Sequence, residues 1–236
     1  MSGFTYAVGD VHGRLDLLER AFDRIVAHAG VGPYRVVMLG DYVDRGPESA
    51  GVIAFLMRRE AQAEVVCLKG NHEDMMLRAL AGEDGALQTW LANGGVETLL
   101  SYGVRPDGEI ARAIPGAHVA WLSALPASTA DPHRIYVHAG LEPGVPLGLQ
   151  DEATLLWIRG PFLRAPAEAF EAHVVHGHTP LWDEKPEAAE PELLAHRTNL
   201  DTGAYFTGVL TVGVFDPAAP GGPIELLPVS DGSRAR

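Results

Sequence analysis

Short apolar runs of β type recur along the chain, and five of them end in a compact polar cluster. Phe4–Val8 runs into Gly9-Asp10-Val11-His12-Gly13, and Val36–Leu39 into Gly40-Asp41-Tyr42-Val43-Asp44-Arg45-Gly46. Val65–Lys69 precedes Gly70-Asn71-His72-Glu73, Arg134–Val137 precedes His138-Ala139-Gly140, and Val174–Val175 precedes His176-Gly177-His178-Thr179. Apolar residues at helical spacing follow the first three clusters, from Leu15 to Val26, over Ser49–Glu60 and over Glu73–Leu80. This alternation predicts parallel strands joined by crossover helices. Strand ends in such a layer point the same way, so clusters distant in sequence converge at one rim.

The rhythm breaks over residues 81–130. Gly85–Ala92 and Val96–Tyr102 read as helices separated by Asn93-Gly94-Gly95, and Ala117–Leu125 as a third helix stopped by Pro126. The segment adds no metal-type cluster and reads as a helical cap or insert near the site. Residues 180–196, rich in Pro, Glu and Ala, read as an exposed acidic loop. Leu200–Phe206 and Val209–Phe215, on either side of Thr207-Gly208, predict an antiparallel pair. Asp216–Pro223 then reads as a loop, Ile224–Val229 as an edge strand and Ser230–Arg236 as a frayed tail. With 236 residues and no linker, the chain is expected to form a single domain.

Net charge is −13, with lysine only at positions 69 and 185. A field of that sign argues against nucleic acid and anionic membranes as partners, yet leaves phosphorylated substrates open, because bound divalent cations invert the local potential. No run of about 18 apolar residues predicts a membrane span, and no secretory signal is evident. The lone Cys67 lies in an apolar run and reads as a buried structural thiol; together these features predict a cytoplasmic protein.

The clusters carry a consistent chemistry. Asp10 and His12 are two apart, so an extended segment turns both to one side. Asp41 adds a carboxylate able to bridge two cations, Asn71 an amide oxygen, and His138 and His178 imidazole nitrogens. This set suits divalent metals, and two held about 3.5–4 Å apart activate water and clamp a phosphoryl oxygen. His72, oriented by Asp44, is placed to protonate a leaving oxygen. Arg45 can fork two phosphate oxygens, with Arg159 as a second clamp. His176 reads as structural. His28, His118, His133, His173 and His196 read as surface or core residues, and Glu73 and Asp74 as acidic groups serving the first helical turn.

Gly-Asp-Xaa-His-Gly, Gly-Asp-Xaa-Val-Asp-Arg-Gly and Gly-Asn-His-Glu, in this order and spacing, resemble the PPP-type metallophosphatases within the calcineurin-like metallophosphoesterase group. The resemblance covers about residues 4–215 and is closest in form to the bacterial and phage branch of serine/threonine phosphatases. It implies an α+β fold, a four-layer α/β/β/α sandwich, with the site at the rim of the central sheets. It also implies one metal on Asp10, His12 and Asp41, and a second on Asp41, Asn71, His138 and His178. His72 would be the general acid supported by Asp44, while Arg45, Asn71 and Arg159 contact phosphate. Mn is the usual metal of this branch, and a nitrogen/oxygen site also accepts Fe, Zn or Co.

The chain lacks the longer C-terminal region of the eukaryotic enzymes, and His138 is followed by Ala-Gly where they carry Gly-Gly. The reading is therefore a phosphoprotein phosphatase acting on Ser/Thr, and on Tyr as an extension, or on small phosphoesters. Symmetrical diadenosine-tetraphosphate hydrolase is the alternative, and an inactive phosphate-binding module is the alternative of another class. The hydrolases of diadenosine tetraphosphate typically replace the Asp of the Asp-Arg pair, so Asp44 favours the phosphatase. The pattern shows no seam that sets an oligomeric state.

Overall fold

The structure is a computed structural model that describes residues 3–105, 110, 114–181 and 190–232. It begins with three strand–helix units. They are β1 (Thr5–Val8) and α1 (Leu15–Ala29), β2 (Arg35–Met38) and α2 (Ser49–Glu60), and β3 (Val65–Cys67) and α3 (Asn71–Leu80). Next come α4 (Ala86–Trp90), a π-helical turn (Leu91–Gly95), α5 (Val96–Ser101) and α6 (Gly116–Ala124). The second half holds β4 (Ser128–Ala130), β5 (Arg134–Val137), α7 (Glu152–Trp157), α8 (Gly160–Leu163), β6 (His173–His176), β7 (Glu192–Leu193) and β8 (Arg197–Asn199). It closes with α9 (Ala204–Thr207), β9 (Val209–Phe215) and β10 (Glu225–Ser230).

Two five-stranded sheets result, in the orders β10-β9-β1-β2-β3 and β4-β5-β6-β8-β7. β1, β2 and β3 run parallel in the first, as do β5, β6 and β8 in the second, and the flanking strands are antiparallel. Period-two side-chain alternation builds the layers. Ala7, Val37, Leu39, Tyr136, Val175 and Phe215 turn inward between the sheets. Their neighbours Tyr6, Val8, Val36, Met38, Val212 and Val214 face the core shared with α1, α2 and α3. Ile135, Val137 and Val174 face Leu155 of α7 and Phe162 of α8. The outcome is the expected α+β architecture of two mixed sheets with helices outside, the sheets packed face to face through their shared buried residues. The inner helical face follows the sequence: Leu17, Leu18, Ala21, Phe22 and Ile25 of α1 are buried, and Gly30 at φ 62 ends that helix.

Several expectations are corrected. Leu200–Phe206 does not pair with Val209–Phe215: residues 204–207 form α9, and β9 pairs instead with β1 and β10. The physical cause is the left-handed Gly203, φ 64, with its N–H on Asp201 Oδ1 at 2.9 Å, which turns the chain out of extension. Within 180–196, Glu192–Leu193 is a short edge strand on β8, while residues 182–189 lie outside the described residues. The segment 81–130 ends in strand β4, and its residues 106–109 and 111–113 also lie outside the described residues. β10 is an edge strand as expected; it runs to Ser230, and the remaining expected tail at 233–236 lies outside the described residues. Cys67 is buried and free. No described helix is long and apolar enough to cross a membrane.

Candidate active site

All five polar clusters lie at the C-terminal ends of the parallel strands β1, β2, β3, β5 and β6. Asp41 is their hub. Its Oδ1 lies 3.3 Å from His138 Nε2 and accepts the His72 N–H at 3.1 Å, while its Oδ2 lies 3.5 Å from His12 Nε2 and 3.9 Å from His72 Nε2. Asn71 Oδ1 is 2.9 Å from both His138 Nε2 and His178 Nδ1. Two groups of potential ligand atoms thus share Asp41: His12, Asp41 and His72, and Asp41, His138 and His178. Asp10 stands outside both groups. Its carboxylate accepts the His178 N–H at 3.1 and 3.3 Å against Gly177, where a Cβ would meet Asp10 Oδ1.

The backbone is bent to make this rim. Among the described residues, the non-glycine residues with positive φ are His12 (44°), Asp41 (54°), Asp44 (71°), Arg45 (68°) and His178 (68°), all of them residues that the sequence marked for chemistry. Each such conformation costs about 1–3 kcal/mol and persists where surrounding contacts enforce it. Glu73 supplies much of that enforcement. Its Oε2 accepts the N–H groups of Asp41 (2.9 Å) and Gly70 (2.8 Å), and its Oε1 those of Tyr42 (2.8 Å) and Val43 (3.2 Å). The expectation that Glu73 serves the first helical turn accounts for the Gly70 bond; the other three tie the β2 loop to α3.

Around the hub, His72 Nδ1 donates to Asp44 Oδ2 at 2.7 Å. Arg45 Nη1 is 2.8 Å from His12 Nε2, and its guanidinium lies over the Tyr205 ring at 5.1 Å. The exposed Arg159 donates from Nε to His178 Nε2 at 3.0 Å, with Trp157 edge-on to the same imidazole. His176 stays out of the groups, its Nδ1 against Gly177 O and its ring against Phe162.

Electrostatics divides the histidines into two kinds. Burial holds His12, His138 and His178 below the ordinary imidazole value, His178 at about 2, an environment that favours the neutral imidazole a cation requires. Burial also opposes a charged His72, but Asp41 and Asp44 outweigh it and raise that imidazole. Burial alone would raise Asp41, yet His138, His72, His12 and His178 together hold it below the carboxylate range. Asp10 is pushed up by burial and by the neighbouring charges of Asp201 and Asp41.

The donor set fits divalent cations. His138 and His12 each donate Nδ1–H to a carbonyl, Leu39 O at 2.9 Å and Val43 O at 2.8 Å. Those bonds fix the tautomer; the His138 Nε2 lone pair then faces Asp41 Oδ1, while the His12 Nε2 lone pair accepts from Arg45 Nη1 at 2.8 Å with Asp41 Oδ2 3.5 Å away. His138 Nε2 also faces the oxygen of Asn71. Converging acceptors repel unless a cation lies among them, and Asp10, Asp41 and Asp201 all sit at 5% exposure or less.

The sequence reading overlooked Asp201, Tyr205 and Glu73's loop role. Asp201 is buried, is raised to about 6 chiefly by burial, and lies within the electrostatic reach of Asp41, Arg45 and Arg159. Its signal was present: Asn199-Leu200-Asp201-Thr202-Gly203 is another strand-end polar cluster, after a strand too short and polar to announce itself.

These features define a metallophosphoesterase rim, and the calcineurin-like phosphoesterase family matches the chain over residues 5–208. The chain belongs to that family. It is similar to the symmetrical bis(5'-nucleosyl)-tetraphosphatase of Neisseria gonorrhoeae, at 32% identity over 138 residues, 58% of this chain and 44% of that protein. It is also similar to serine/threonine-protein phosphatase 2 of Escherichia coli, at 37% over 90 residues, 38% of each chain. The match thus spans less than half the length of either curated relative. A crystal structure proposed to be a diadenosine tetraphosphatase superposes with a TM-score of 0.67 at 25% identity, covering 98% of this chain and 96% of that one.

Proposed function

We propose that the chain is a PPP-type phosphomonoesterase that uses the His72–Asp44 pair as general acid to cleave esters of poor leaving groups, with phosphoserine and phosphothreonine as the favoured class. The 2.7 Å bond from His72 Nδ1 to the buried Asp44 carries this reading. It turns Nε2 toward the rim, 3.9 Å from Asp41. Expulsion of an alkoxide needs a proton; expulsion of a nucleotide phosphate, already a stable anion, needs one far less.

Two divalent cations, Mn as the favoured pair with Fe, Zn or Co as substitutes, would be held by Asp10, His12 and Asp41 and by Asp41, Asn71, His138 and His178. When bound, they lower the pKa of a water and neutralise phosphoryl charge. The chain's own groups do the rest. Arg45, Arg159 and the Asn71 amide grip the phosphoryl oxygens in line with the attacking water. As the bond from phosphorus to the leaving oxygen breaks, that oxygen takes its electron pair and the Nε2 proton of His72, and Asp44 stabilises the imidazolium's orientation. Inorganic phosphate and an alcohol result.

A second reading, a dinucleoside-tetraphosphate hydrolase, is favoured by the near full-length superposition on the structure proposed to be a diadenosine tetraphosphatase. The test compares kcat/KM of the Mn-loaded protein on a phosphoserine peptide, an aryl phosphate and diadenosine tetraphosphate, with His72→Asn alongside. The phosphatase reading expects the peptide to be cleaved well and His72→Asn to lower its kcat about 10²–10⁴-fold, with a smaller loss on the aryl ester. A preference for the dinucleotide by orders of magnitude, little affected by His72→Asn, would replace it with the second reading.

A further inference from the structure

We infer that Trp90 and Thr98, in the helical segment after α3, are positioning residues that lock the Asp44 carboxylate and thereby aim His72. The inference rests on the general-acid reading for its kinetic consequence, and on geometry alone for the locking.

Asp44 is fully buried and accepts three hydrogen bonds. His72 Nδ1 reaches Oδ2, while Trp90 Nε1 at 2.9 Å and Thr98 Oγ1 at 2.7 Å both donate to Oδ1. The Thr98 hydroxyl also accepts the Asp44 main-chain N–H at 2.8 Å, so it holds both ends of the residue. Ser49 Oγ lies 3.1 Å from the same N–H and 3.0 Å from Thr98 Oγ1. A carboxylate bonded only to His72 could rotate about its side-chain torsions. Two donors fixed on Oδ1 set its plane, and Oδ2 is left facing the imidazole.

The segment is shaped for this contact. Trp90 and Thr98 are eight residues apart, which in a continuous α-helix means about 12 Å along the axis. The π-helical turn breaks that continuity: Asn93 (φ −102, ψ 15) and Gly94 (φ 103, ψ 10) leave helical geometry, and the Trp90 and Thr98 side chains both reach Asp44 Oδ1. Gly95 has no Cβ where one would sit 2.7 Å from the Trp90 indole. Gly94 O accepts the Arg45 N–H at 3.1 Å, so the same turn also holds the neighbouring strained residue. Trp90 is wholly buried; the position of its N–H is therefore set by packing and not by solvent.

The test pairs Trp90→Phe, which keeps an aromatic ring and removes the N–H, with Thr98→Val and Thr98→Ser. In the Mn-loaded protein, kcat on an alkyl phosphate should fall about tenfold more than kcat on an aryl phosphate of low leaving-group pKa for Trp90→Phe and Thr98→Val, with KM shifted far less. Thr98→Ser should restore the wild-type ratio. Equal losses on both esters in a folded variant would overturn the proposal. A second readout needs neither metal nor turnover, and decides the matter if a variant fails to fold. In the metal-free protein the ¹⁵N–¹H resonance of the Trp90 indole should exchange slowly with solvent and move on Asp44→Asn. An indole signal indifferent to Asp44→Asn would sink the locking itself. If His72→Asn shows no leaving-group dependence while the indole responds, the general-acid reading fails and the locking stands.

Discussion

Glu73 shows how one side chain can hold a site without touching the reaction. Its carboxylate accepts N–H groups from Gly70, Asp41, Tyr42 and Val43, two of them preceding or lying at strained positions of the rim. Burial and the nearby Asp41 push its pKa up, opposed by the very N–H groups it accepts. Glu73→Gln replaces an acceptor oxygen with an amide donor facing N–H groups. The variant should unfold about 2–4 kcal/mol more easily, read as a lower denaturant midpoint with an unchanged slope. A midpoint within error of the wild type would remove Glu73 from this role. The sequence displayed Glu73 as an acidic residue at a helix start, which is true of its Gly70 bond. Its other three partners lie some thirty residues upstream, where no local pattern reports them. Asp10, His12, Asp41, Asn71, His138 and His178 were nameable because each ends an apolar run; Trp90 and Thr98 were not, since an aromatic and a threonine at helical spacing look like ordinary core.

At the level of elements, the segment after α3 changes meaning. Its helices are where the sequence expects them, α4 and α5 broken at Asn93-Gly94-Gly95. The segment expected as a cap or insert near the site contacts it directly, through Gly94 on Arg45 and through Trp90 and Thr98 on Asp44. Gly94 can serve because it has φ +103 and no side chain, and a Cβ there would lie 2.8 Å from Arg45 N and Cγ. Gly94→Ala should therefore cost about 1–3 kcal/mol in stability and displace Arg45, which the proposed function uses to hold phosphate. We expect kcat/KM to fall by about tenfold, measured with the thermal midpoint on the same preparation. Wild-type activity in a folded Gly94→Ala protein would show that Arg45 does not depend on this turn. The failed element is equally instructive. The sequence predicts Leu200–Phe206 as one strand of an antiparallel pair, but Asp201 and the left-handed Gly203 turn the backbone, and Tyr205 then lies against the Arg45 guanidinium. Turn geometry of this kind competes with β propensity and is settled by tertiary contacts.

Across the whole molecule, the two parallel β cores deliver the pieces. β1, β2 and β3 bring Asp10, His12, Asp41, Asp44, Asn71 and His72, and β5 and β6 bring His138 and His178. The parallel strands were legible from the alternation of strand and helix patterns, and the layered architecture only through the family resemblance of the clusters; that Ala7, Val37, Tyr136 and Val175 lie between the sheets emerges from the structure. The acidic net charge of −13 and the buried carboxylates of Asp10, Asp41, Asp44, Glu73 and Asp201 leave that region rich in negative charge, with Arg45 and Arg159 opposing it at Asp201. Bound cations would offset that charge, and Asp41 would serve both of them.

Metal content per chain tests this directly. Protein stripped with chelator, reloaded with Mn and desalted should carry two Mn per chain by elemental analysis, and Asp41→Asn should lose both. One metal or none in the wild type, or two retained by Asp41→Asn, would contradict a shared dinuclear centre.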